Sequence, residues 1–62
     1  PAGEPVAATE IAALLARVMA AGKANIMKDI EAAFGAKVGD IMQPTHEAMR
    51  PAVANYLRGQ LQ

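Results

Sequence analysis

The chain contains no cysteine and no serine, and it has a single histidine. The missing thiols exclude disulfides, thiolate metal sites and thiol nucleophiles together, and leave the redox compartment undetermined. One histidine without cysteine or a second histidine cannot build a zinc site of ordinary ligand spacing. Charge of either sign is also missing in excess: six Lys and Arg balance six Asp and Glu. No long-range field therefore concentrates nucleic acid or anionic membrane at the surface. Nor is there a long apolar run. The best stretch, IAALLARVMAA, is too short to span a bilayer and carries Arg17 inside it.

Helix-forming apolar sequence is what remains. Hydrophobic residues make up 53% of the 62, but 15 of them are alanine, which leaves 18 larger side chains to fill an interior. A chain of this size buries only about 60% of the surface its unfolded form exposes, so it sits at the margin of independent stability. That margin favours a self-associating or docked module over an isolated enzyme.

The opening PAGEPVAA has two prolines, a glycine and no apolar periodicity, and reads as a flexible linker over residues 1–8. A first helix follows, with Thr9 as N-cap, Glu10 in the positive first turn, and Ile11, Leu14, Leu15, Val18 and Met19 on one face up to the stop at Gly22. The second is shorter. Asn25 caps it, Ile26, Met27, Ile30, Ala33 and Phe34 form its face, and Gly35 supplies the left-handed stop. Val38, Ile41 and Met42 predict about two further turns before Pro44.

Two prolines punctuate the last part. Thr45 is expected to cap a preliminary turn holding His46 and Glu47, and the closing helix to begin near Ala48 to Arg50, where Pro51 falls in the first turn and its missing amide does no harm. Met49, Ala52, Val53, Tyr56, Leu57 and Leu61 mark its apolar face. The expected fold is thus all-α, a compact bundle of three to four short helices over residues 9–62, with the faces of the first and last helices forming the core.

Chemistry is scarce. His46 and Glu47 are adjacent, so on a helix they point about 100° apart and do not act on one proton together. Glu47 and Arg50, three apart, make a surface pair. AAGKAN lacks the strand and second glycine of a phosphate loop. No catalytic residue, cofactor or metal is expected, and the chain reads as a non-enzyme. The four methionines either fill gaps in the core or line a docking face, since thioethers adapt to irregular surfaces. Met27 and Met49, at stripe margins, are the better placed for contact. With Phe34 and Tyr56 they form the expected partner-binding set, facing a protein partner or a second copy.

The segment VGDIM at 38–42, followed by a polar corner, Pro51 and AVANYLRGQL, resembles the terminal helical tail of the GatB/YqeY family, and AGKANIMKDI upstream is similar in character. The family usually has Asn before that proline, where this chain has Arg50. The resemblance implies a helical tail that assists tRNA recognition, with Lys23, Lys28, Lys37, Arg50 and Arg58 as phosphate contacts. Balanced charge disfavours that function, because such cations supply most phosphate affinity. In layout, a Pro- and Ala-rich tether leading into a small helical bundle also resembles the C-terminal docking domains of modular polyketide synthases. The leading expectation is a non-catalytic protein-protein interaction module at the end of a larger protein. No membrane segment or targeting motif is read in it, so the expected setting is cytoplasmic.

Overall fold

A computed structural model describes residues 5–62, and the first four residues of the expected linker lie outside that range. Four helices follow one another: α1 (Ala8–Ala20), α2 (Ile26–Phe34), α3 (Val38–Ile41) and α4 (Arg50–Gln60), with a 3₁₀ segment (Pro44–Met49) leading into α4. There is no strand among the described residues. The all-α expectation holds. The Cα radius of gyration is 10.6 Å, against about 10.6 Å for a compact domain of this length.

One core serves all four helices. Ile11, Leu14, Leu15 and Val18 of α1 meet Ile26 and Ile30 of α2, Val38 and Ile41 of α3, and Val53, Ala54 and Leu57 of α4. The aliphatic residues recur at the three- and four-residue steps that put them on one side of each helix. The most extensive packing is between α1 and α4. At the rim, the Phe34 and Tyr56 rings meet edge to face with centroids 5.6 Å apart, closing α2 onto α4.

The helix boundaries show which local signals prevailed. α1 ends as expected: Gly22 takes φ 94°, its amide donates to the Met19 carbonyl at 2.9 Å, and the Lys23 amide reaches back to Val18 at 3.3 Å. These two bonds are the Schellman arrangement, which satisfies carbonyls the helix leaves open. Gly35 closes α2 at φ 71°. A Cβ there is strained by roughly 1 to 2 kcal/mol. Gly39, in contrast, has open space around its would-be Cβ and no positive φ. Gly35→Ala should therefore lower the urea midpoint by the equivalent of about 1 kcal/mol, and Gly39→Ala should raise it by about 0.5 kcal/mol. Equal shifts of one sign would contradict this account.

Three expected boundaries are corrected. The N-cap of α1 is Ala7, not Thr9, and it makes no side-chain bond; its carbonyl accepts from the amides of Glu10 and Ile11 at 3.0 and 3.3 Å. Of the residues expected as linker, Ala8 is helical and Val6 packs against the core. Tertiary contact at Val6 sets where the chain turns into the helix. Thr45 does not cap the 3₁₀ segment, whose N-cap is Gln43.

The third correction concerns α3, which makes one turn instead of two. Proline disfavours helical geometry in the residue before it, and Gln43 is accordingly extended at φ −82°, ψ 151°. The carbonyls left open at the end of α3 then need donors from elsewhere. α4 begins at Arg50, within the expected range, with Pro51 in its first turn.

Candidate functional site

Arg50 supplies those donors. It is the one buried charged or polar residue among the described ones, 8% exposed. Its Nε donates to the Ile41 carbonyl at 3.0 Å, and its Nη2 to those of Met42 and Gln43 at 2.9 and 3.1 Å. Its Nη1 lies 3.4 Å from the Val6 carbonyl. A planar fork of donors suits this cluster of oxygens, which a point-charge ammonium would not span. The side chain caps α3, anchors the start of α4 and holds the N-terminal segment. Its expected surface pair with Glu47 is not formed, and its guanidinium is withdrawn from the set of phosphate contacts. Both corrections have one cause: the pull of unsatisfied buried carbonyls outweighs a solvent-exposed pair of a few tenths of a kcal/mol.

The other cations lie outside. Arg58 donates to Glu10 at 2.8 Å, tying α4 to the first turn of α1, and to Asn55 Oδ1 at 3.3 Å. Lys23, just past the end of α1, reaches Gln60 at 3.3 Å. Lys28 and Lys37 are exposed on α2 and beside α3. Of the five cations that the family resemblance implies for tRNA, one is enclosed and one is held by a carboxylate. His46 shares a hydrogen bond of 2.9 Å with Thr45. Among the described residues no group of three or more His, Asp or Glu is placed to hold a metal ion, and no helix is long and apolar enough to cross a membrane.

The expected partner-binding residues divide into two kinds. Met27 stands out from α2, 46% exposed. Phe34 and Tyr56 are engaged with one another, and Met49 packs half-buried against the core. Three of the four are thus partly used within the fold, and only Met27 projects. A second projecting methionine was missed by the pattern: Met19, expected in the core stripe, is 40% exposed. It continues the stripe in sequence, but lies at its edge, where no neighbouring helix covers it. Ala33 and Ala52, also expected inside, are exposed, while Ala54 is buried.

Met19 belongs to a larger surface. The solvent side of α1 is formed by Thr9, Ala12, Ala13, Ala16, Met19 and Ala20, all exposed and none charged. The only charged residues of this helix, Glu10 and Arg17, are seven positions apart and so fall within about 20° of each other on one edge. That edge adjoins α4, because Glu10 is bonded to Arg58. By contrast, α2 presents Lys28, Asp29 and Glu31 to solvent. A helix with a polar outer face is content in water; one that is apolar nearly all round is ordinarily buried. Set against protein-family models, curated proteins and solved structures, the chain matches none of them.

Proposed function

We propose that the chain is a non-catalytic protein-protein interaction module, which docks through the uncharged outer face of α1 with Met19 at its margin. The observation that supports this most directly is the composition of that face, alanine and methionine on a helix whose other side already fills the core. Alanine permits a second backbone to approach closely, and an unbranched thioether adjusts to whatever surface arrives. Water gains nothing from this face, whereas another apolar surface does. Among the described residues no group of three or more His, Asp or Glu competes for the role, and the buried cation is already saturated with carbonyl oxygens.

A photo-crosslinking side chain tests the reading with a built-in comparison. Placed at Ala16, in the middle of the face, it should give a discrete adduct in extract of the source cells, identified by mass spectrometry. Placed at Glu31, on the charged side of α2, it should give none. Equal labelling from both positions, or no adduct at Ala16, would remove the proposal.

A further inference from the structure

We infer that the occupant of the α1 face is a second copy of this chain, with the two α1 helices packed antiparallel about a two-fold axis. The inference rests on the interaction-module reading and adds its partner. Its basis is the order of charges along the edge of the face. Glu10 and Arg17 occupy equivalent positions one heptad apart and carry opposite signs. When two such helices run antiparallel, equivalent flanking positions come together, so Glu10 of each copy meets Arg17 of the other. The axis then passes at the level of residues 13 and 14, midway between them. In a parallel pair the flanking position meets a different one across the interface, and this complementarity is lost.

The groups needed are free to act. Arg17 is exposed, and its guanidinium has no hydrogen bond or ion pair among the described residues. Glu10 uses Oε2 for Arg58, and its other carboxylate oxygen remains for a second guanidinium. Between the flanking charges the contact consists of Ala12, Ala13 and Ala16, whose small side chains are self-complementary under a two-fold rotation. Met19 of one copy comes level with Ala8 of the other. α1 has 13 residues and is thus about 20 Å long. One helix pair of that length falls below about 1,200 Å² of interface, the range of weak and reversible association.

Sedimentation velocity from micromolar to millimolar concentration reads the equilibrium directly. The unmodified chain should pass from monomer to dimer. Ala16→Glu, which places a good helix former on an exposed position, should raise the dissociation constant more than about tenfold by burying an unpaired charge, with unchanged circular dichroism. Two further variants test the register. R17E alone sets like charges against Glu10 of the other copy, and E10K alone sets cations against Arg17, so each should dissociate. An equimolar mixture of the two restores opposite charges on both sides and should dimerise again.

A chain that stays monomeric throughout, or a mixture no tighter than its components, overturns the antiparallel pair. The fate of the wider reading is then told by the Ala16 adduct. A crosslink to a different protein keeps the module and removes the second copy, whereas no crosslink removes both.

Discussion

Replacing Arg50 with methionine should destabilise the chain by about 3 kcal/mol, although it loses no acidic partner among the described residues. Methionine keeps much of the apolar stem but removes the guanidinium donors, at 2.9 to 3.1 Å, from the carbonyls of Ile41, Met42 and Gln43, of which Gln43 alone keeps a second donor, the His46 amide at 3.0 Å. The Ile41 bond is buried, so that oxygen cannot turn to water; the other two are part-buried and recover some solvation. A buried acceptor left unsatisfied costs about 1 to 3 kcal/mol, and bonds to a charged donor are at the strong end. Domains this small have roughly 3 to 5 kcal/mol in all. At about 4 to 8 °C per kcal/mol, the melting temperature should fall by roughly 12 to 24 °C. Arg50→Lys should fall between the two, because an ammonium reaches fewer of the oxygens. A methionine variant melting within a few degrees of the parent would show that the guanidinium is incidental.

Leu57→Ala should have a similar or larger effect by a different route. Leu57 is fully enclosed, in the α4 face that packs most extensively on α1. Truncation removes its transfer free energy and leaves a cavity, together about 2 to 5 kcal/mol. In a domain of this size that loss is enough to populate the unfolded chain at room temperature. Met27→Ala, the same kind of truncation at an exposed site, should stay within about 0.5 kcal/mol. Urea titration followed by circular dichroism separates the two. If the variants lose equal stability, the assignment of Leu57 to the interior and Met27 to the surface is wrong.

These two sites also mark the limits of what can be read from a linear chain. Leu57 is legible: it lies four residues after Val53 and one after Tyr56, in a run whose apolar spacing has only one helical solution. Arg50 is not. Its short-range neighbour Glu47 suggests a surface pair, while its actual acceptors are 7 to 44 residues away. Met19 fails in the opposite sense. Periodicity adds it to the stripe of Leu15 and Val18, but the edge of a stripe is buried only if another helix covers that side, and here none does.

The chain's own order of residues determined that it is all-helical and where α1 and α2 stop, because Gly22 and Gly35 accept the left-handed geometry that ends a helix. It determined too that α4 starts beside Pro51, since a missing amide is harmless only in a first turn. These are local effects, decided within a few residues. Tertiary structure alone decided that α3 is cut to one turn and capped by Arg50, that Val6 joins the core, and that the outer face of α1 is left bare. Each of those depends on which surfaces four helices can cover at once, and that is a property of their packing in three dimensions.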